Sequence, residues 1–225
     1  MKKISILFFI FMLISVIFTG CSGSQVTGVK EGTKIDKKDL KIGFVHYSDP
    51  SDQGYTYNHD KAAWKMAEEL GIDKSQIINK YNVPDTAQAA TAFRELAEVG
   101  CQIIFSTSHG HEDYLLEVAF EYPSVVFCHF SGVKAKSSGL KNVHNYFGDI
   151  AQVRYLSGVV AGLTTKTNNI GYVCAMDYTE VNNGLDAYYL GAKSVNEKIQ
   201  VNATYLNKWY APALEGQATK SLIDM

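Results

Sequence analysis

The sequence has few cations: only two of its 225 residues are arginine, Arg94 and Arg154, and its 21 basic residues are outnumbered by 23 acidic ones. Nucleic-acid binding needs clustered cations, and the sequence has no basic block, so nucleic acid is excluded as the main partner. Disordered and collagen-like chains are excluded as well, because 46% of the residues are hydrophobic and only four are proline. Four cysteines without a CxxC spacing indicate neither a zinc knuckle nor a redox dithiol.

Common enzymatic signatures are also missing. The sequence contains no GxxxxGK[ST] phosphate loop, no GxGxxG after its first predicted strand, no GxSxG elbow and no HExxH. We therefore expect a protein that is not an enzyme, and we assign it no catalytic residue and no cofactor.

The N-terminus is predicted to be a lipoprotein signal peptide of residues 1–20. Two lysines precede an apolar run of residues 4–18, which is shorter than the about 20 residues of a membrane span. The segment IFTGC (17–21) resembles the lipobox of bacterial lipoproteins, so we expect Cys21 to carry the lipid that anchors the chain to a membrane. An uncleaved signal anchor is the alternative. Residues 21–38 lack apolar periodicity and are predicted to be a flexible tether; the chain without residues 1–20 carries a net charge of −4.

The remaining sequence alternates short apolar strands with amphipathic helices. Predicted strands begin near residues 41, 76, 102 and 125, and the helices between them give three βαβ units. Continuous apolar strands are typical of a parallel sheet that is covered on both faces, so the fold class is a doubly wound α/β fold.

The pattern restarts in the last third of the chain. A helix over 150–164 is followed by a strand over 169–174 that echoes the first strand. We therefore predict an N-terminal α/β lobe of residues 39–164 and a partial C-terminal α/β lobe of residues 165–225. Two strands and two helices after residue 165 cannot protect both edges of a sheet, so we expect the chain to be a fragment.

Polar side chains cluster where predicted strands end, which is where open α/β sheets bind ligands. The candidate ligand-binding residues in these loops are Tyr47, Asp52, Thr56, Ser108, His109 and Met176. Aromatic rings together with amides and carboxylates suit a planar, uncharged ligand that forms hydrogen bonds. A metal site that uses His109 and His111 is the alternative interpretation, although a His-x-His pair on a loop is weak evidence for one.

Several segments in series resemble the basic membrane protein family, the substrate-binding lipoproteins of ABC importers. They are KIGFV (41–45), SDQGYTY (51–57), CQIIFSTS (101–108), YFG (146–148), YLSGVVAG (155–162) and LGAKSVN (190–196). The resemblance implies a type I periplasmic-binding-protein fold of two lobes, a small-molecule ligand such as a purine nucleoside or base, and an ABC permease in the membrane as the partner. The protein would then act outside the cytoplasm.

The resemblance also implies roles for three residues. Tyr55 and Trp209 occupy the positions whose rings stack on the two faces of the base, and Asp113 matches an acidic residue that accepts a hydrogen bond from the ligand. Each has a structural alternative: Tyr55 as a helix cap, Trp209 as a core residue and Asp113 as an N-cap. A nucleoside hydrolase that uses Asp49 and Asp52 is the remaining, least favoured, function.

Overall fold

The computed structural model describes residues 34–225. The predicted signal peptide, Cys21 and residues 21–33 of the predicted tether lie outside the described residues. No helix within residues 34–225 is both long and apolar enough to cross a membrane.

A sheet of five parallel strands forms the first lobe. The strands run in the order β2-β1-β3-β4-β5 and are β1 (Ile42–Val45), β2 (Ile77–Lys80), β3 (Ile103–Ser106), β4 (Val126–Phe130) and β5 (Val143–Tyr146). The helices between them are α1 (Tyr55–Leu70), α2 (Ala87–Glu98), α3 (Glu112–Glu121) and the short α4 (Ala135–Ser138). Every neighbouring pair is parallel, as the continuous apolar strands predicted.

Both faces of this sheet are covered because successive strand residues point to opposite sides. Ile42 and Phe44 pack with α1 on one face. Val45 and Ile104 pack on the other face with a cluster from α2 and α3 that includes the fully buried Leu96. The doubly wound α/β fold class is therefore confirmed.

The second sheet contains two parallel strands in the described part of the chain. They are β6 (Asn169–Cys174) and β7 (Gln200–Tyr205), and the accompanying helices are α5 (Ile150–Thr164), α6 (Thr179–Val195) and α7 (Pro212–Ile223). Buried apolar side chains are fewer here than in the first lobe, and they come from Cys174, Ala192, Ile199 and Ala218.

Helices α5 and α6 touch backbone to backbone. A Cβ atom at Gly158 would lie 1.9 Å from the carbonyl oxygen of Tyr188, and one at Gly191 would lie 2.0 Å from that of Tyr155. Glycine is required at both positions because any side chain would push the helices apart. The sequence analysis placed α5 in the N-terminal lobe, yet its packing partner is a helix of the second lobe; the boundary at residue 164 stays a prediction.

The opposite face of α5 is apolar and exposed in the described structure. Val153, Leu156, Val160 and Leu163 follow one another at spacings of three and four residues, so they form one stripe along the helix. Leu156 is 63% exposed.

Candidate functional site

A crevice of about 690 Å³ lies between the two lobes, beyond the carboxyl ends of β1 and β3. These neighbouring strands are the point where the strand order reverses, because β2 lies on one side of β1 and β3 on the other. Ligands of open α/β sheets bind at such a point. Seven of the predicted ligand-binding residues line the crevice: Tyr47, Asp52, Tyr55, Thr56, Ser108, His109 and Trp209.

Asp52 lines the crevice, but its carboxylate is engaged in holding the start of α1. It accepts hydrogen bonds from the backbone N–H groups of Gly54 (3.0 Å), Thr56 (2.7 Å) and Tyr57 (2.9 Å). Burial alone would raise the pKa of Asp52, but these donors reverse the effect and lower it. Its role in this structure is therefore to position Tyr55.

Asp49 has a similar structural role. Its carboxylate accepts hydrogen bonds from the backbone N–H of Ser51 (2.9 Å) and the amide of Asn82 (3.1 Å). Asp52 is engaged in the same way, and Asp49 does not line the crevice, so the structure does not bring the two carboxylates of the hydrolase hypothesis together at the site.

Tyr55 is the first residue of α1, and half of its surface is exposed towards the crevice. Its ring meets the edges of His59 (centroids 4.6 Å apart) and Phe130 (5.8 Å), which brace it from behind. Burial lowers the pKa of His59 to about 4, with a smaller contribution from His46. This aromatic wall is therefore uncharged at neutral pH.

Trp209 follows β7 and forms the facing part of the crevice. Its indole N–H donates to a carboxylate oxygen of Asp85 in the first lobe (3.0 Å), and the hydroxyl of Ser108 donates to the other oxygen (2.7 Å). The ring is partly buried and lies 5.9 Å from that of Tyr178. Trp209 is thus neither a core residue nor free on the surface.

His109 makes a second contact between the lobes. Its Nδ1 lies 2.9 Å from the hydroxyl of Ser131 and 3.4 Å from a carboxylate oxygen of Glu180, at the start of α6. The hydrogen bond with Glu180 raises the pKa of His109. Burial opposes ionisation of Glu180, but the interactions with His109 and Ser131 lower its pKa overall. The pair therefore favours the charged form of both groups.

His111 cannot join His109 in a metal site. Its side chain is fully buried, with Nδ1 3.2 Å from the hydroxyl of Ser106 and Nε2 3.0 Å from the carbonyl of Val83. Burial lowers its pKa, so the ring is a neutral part of the core. In the described part of the chain, no group of three or more His, Cys, Asp or Glu residues is arranged to hold a metal.

Two predicted ligand-binding residues lie away from this crevice. Asp113 is exposed and pairs with Lys134 (2.5 Å), whereas its neighbour Glu112 is buried and accepts from the backbone N–H groups of Val133 and Lys134. Met176 is partly buried, and the strand end reaches the crevice through Cys174 and Ala175 instead. Asp113 lines a neighbouring cavity that shares His109 and Glu180 with the crevice, so its role in ligand binding stays a prediction. The alternative that made Asp113 an N-cap is wrong, because α3 begins one residue earlier.

The sequence analysis missed several residues that build the crevice. Phe130, Arg154, Tyr172 and Glu180 line it, and Asp85 holds Trp209. Two of them could have been found, because ligands bind where strands end: Asp85 follows β2, and Phe130 ends β4.

Comparisons with known proteins agree with this architecture. The family model described as ABC transporter substrate-binding protein PnrA-like, Bmp, matches residues 39–225. A purine-binding protein of Brucella abortus is 36% identical over 185 residues, which cover 82% of this chain and 51% of that protein. A putative ABC transporter glucose-binding protein of Haloferax volcanii is 29% identical over 206 residues, which cover 92% of this chain and 51% of that protein.

A solved solute-binding protein of an ABC transporter from Aeropyrum pernix K1 shares the fold. It superposes with a TM-score of 0.71 at 17% identity, over 82% of this chain and 52% of that one. The chain spans about half the length of the curated relatives it matches. Because the family model covers far more than half of its residues, the chain belongs to the PnrA-like, or basic membrane protein, family of ABC transporter substrate-binding proteins.

Proposed function

We propose that this protein is the lipid-anchored receptor of an ABC importer and that it captures a purine nucleoside or base between its two lobes. The observation that carries the proposal is that Tyr55 and Trp209, which come from different lobes, line the same crevice. Closure of the lobes would place a flat heterocycle between the two rings. The predicted ligand-binding residues that line the crevice with them, other than Asp52, supply hydrogen-bonding groups for its edge.

The chemistry of the crevice supports a flat, uncharged ligand. Stacking of a base on an aromatic side chain is worth about 1–3 kcal/mol, and it needs no charge on either partner. Tyr55 and the neutral His59 provide such a surface on one wall, and Trp209 provides it on the other. Asp52, Asp85 and Glu180 already have protein partners, so they do not call for a cationic ligand.

The relatives favour a purine but leave a sugar as the second candidate. The Brucella abortus relative is described as purine-binding, and the Haloferax volcanii relative as putatively glucose-binding. Glucose has no flat aromatic face to lie between two rings, whereas a purine has two. A titration that includes both ligand classes separates these candidates.

Each lobe contains one tryptophan, which makes the titration specific. Trp64 lies on α1, where its indole N–H bonds Asp60 (2.9 Å), and it does not line the crevice. In a Trp64→Phe variant of the whole protein, we expect the fluorescence of Trp209 to change saturably with adenosine or hypoxanthine and not with glucose. A folded protein that responds to glucose alone, or to no purine, would refute the proposal.

Substitution of the same tryptophan tests its energetic role. Trp209→Ala should weaken purine binding by about 5- to 150-fold, the equivalent of one stacked base. Trp64→Phe is the matched control and should leave the affinity, measured by calorimetry, unchanged. Equal affinity in the Trp209→Ala protein would remove that ring from the site.

The membrane anchor and the permease are also part of the proposal. Cys21 follows a segment that resembles a lipobox, and acylation there would hold the protein on the outer face of the membrane. We expect mass spectrometry to find an acylated Cys21 at the mature N-terminus, and Cys21→Ser to release the protein from membranes. Cells that lack the gene should lose high-affinity uptake of labelled purine; undiminished uptake would count against a role in import.

A further inference from the structure

Arg154 is a cation that lines the crevice without a carboxylate partner. Within residues 34–225, it forms none of the ion pairs, whereas Arg94 binds both Glu117 and Glu121 on the outside of the first lobe. An arginine can donate five hydrogen bonds and cannot lose its charge in a protein. Arg154 is exposed in the described structure, so its donors are open to solvent and to acceptor atoms of a ligand in the crevice.

The side chain of Arg154 is positioned by two residues of the second lobe. The guanidinium carbon lies 6.0 Å from the centre of the Tyr172 ring, within the range of a cation–π interaction. Gly184 on α6 lies beside the stem: a Cβ atom there would be 3.5 Å from Cγ of Arg154 and 3.9 Å from its Nε. These are ordinary van der Waals distances, so a methyl group would fit there, whereas a branched side chain at residue 184 would extend into the space beside the arginine.

The carboxylates on the crevice wall already have protein partners. Asp52 is bound by backbone N–H groups, and Glu180 is bound by His109. The guanidinium of Arg154 is consequently a charged donor that remains for a ligand, together with Nε2 of His109, because the contacts of His109 with Ser131 and Glu180 are made through Nδ1. Its planar fork matches two acceptor atoms in one plane, as on the O6/N7 edge of guanine, whereas the N6/N7 edge of adenine presents one donor and one acceptor.

We propose that Arg154, which lies over the ring of Tyr172 and beside Gly184, reads the O6/N7 edge of the bound base, so that the crevice selects 6-oxopurines over adenine. This inference rests on the proposed function and names the class of purine for the same site. The selected ligands are hypoxanthine, guanine or their nucleosides.

Calorimetric titration of the whole protein with hypoxanthine and adenine tests the inference, because these bases differ in the group at C6. We expect hypoxanthine to bind at least about ten-fold more tightly, the lower part of the range for one bidentate contact. Arg154→Gln should reverse the preference, since an amide matches the N6/N7 edge of adenine. Arg94→Gln, at the other arginine of the chain, is the matched control and should leave the preference unchanged.

A second variant tests whether the position of the Arg154 side chain matters in addition to its charge. Gly184→Val retains Arg154 but crowds its stem, so the ratio of the two affinities should fall towards one while the protein stays folded by circular dichroism. Preference for adenine, or none, in the unaltered protein would overturn the inference and leave purine binding standing.

A phosphate group also offers paired acceptor atoms to an arginine, so the titration includes nucleotides. If inosine and adenosine monophosphates bind more tightly than the bases, and Arg154→Gln abolishes that gain, the guanidinium holds a phosphate and the inference is wrong. If no purine binds at all, the proposed function itself fails, and the inference with it.

Discussion

The two lobes form opposite walls of one crevice but are built very differently. The first has five strands with apolar clusters on both faces, and both the crevice residue Asp52 and the buried His111 have their polar atoms bonded within the protein. The second has two described strands, few fully buried side chains and an exposed apolar stripe on α5. It also contributes the unpaired Arg154 and the half-buried Trp209.

This difference suggests that the first lobe holds the site in place and that the second lobe selects the ligand. The buried network of the first lobe fixes the place of Tyr55, because the carboxylate of Asp52 holds the turn that presents the ring. The second lobe contributes the guanidinium of Arg154, whose N–H groups can donate hydrogen bonds to a ligand. We therefore expect substitutions in the first lobe to affect folding most, and substitutions in the second to affect mainly its helix packing and the choice of ligand.

The strongest test of the comparison uses one leucine from each lobe. Leu96 is fully buried and Leu156 is 63% exposed. Leu96→Ala should lower the free energy of unfolding by about 2–5 kcal/mol, because it removes buried methyl groups and leaves a cavity. Leu156→Ala should change it by less than about 0.5 kcal/mol. Urea unfolding measures both; a loss above about 1.5 kcal/mol at Leu156 would show that this face of α5 is covered in the whole protein.

A pair of helical glycines gives the next largest effect. Gly158→Ala should destabilise the second lobe by about 1–3 kcal/mol, since the new methyl group would meet the carbonyl of Tyr188. Gly216 lies within α7 with no atom within 4 Å of its would-be Cβ. Gly216→Ala should instead stabilise the chain by about 0.5–1 kcal/mol through helix propensity. Urea unfolding followed by the fluorescence of Trp209 measures the stability change of each variant. Destabilisation by both substitutions would contradict the packing of α5 on α6.

The smallest expected effect is the pH dependence of the contact between the lobes. The pKa of His109 is raised above 6.5, so its stabilising contribution is complete below pH 6.5 and is lost as the pH rises through the higher value. The pKa of Glu180 is lowered below 4.5, so its contribution is complete above pH 4.5 and is lost as the pH falls through the lower value. The pair is therefore strongest between pH 4.5 and 6.5.

Comparison with a His109→Gln variant isolates this pair from the other titrating groups. Glu112 and Asp85, which also face His109, and the buried histidines are present in both proteins. We expect the difference in unfolding free energy to be under about 1 kcal/mol near pH 5.5 and to shrink by pH 8.5. A difference that grows with pH would rule out this assignment.

Most of the fold could be predicted because it follows from local patterns. The predicted helix over 150–164 and strand over 169–174 coincide with α5 and β6, and Gly71 ends α1 with φ +60° as a C-terminal glycine should. The PnrA-like family assignment, made from the motifs, is also confirmed.

The details of the site were less predictable because they depend on direction and on contacts between distant residues. Successive helical residues point about 100° apart, so Glu112 turns inwards and Asp113 turns out to Lys134. No local pattern announces that Asp85 meets Trp209, since 124 positions separate them in the sequence. The position of strand ends in the sequence identifies the loops that form the site, whereas tertiary packing decides which of their side chains enter the crevice.

The contact between α5 and α6 also determines where the molecule can bend. Carbonyl groups of each helix lie against glycines of the other, so the pair moves as one body. In the described chain, residues 147–149 are the single covalent passage from the first sheet to that body, and Gly148 has open space where a side chain would be. Within the described chain, a change in the angle between the first sheet and the pair of α5 and α6 has to bend the backbone at these three residues, and the first of them, Phe147, also lines the crevice.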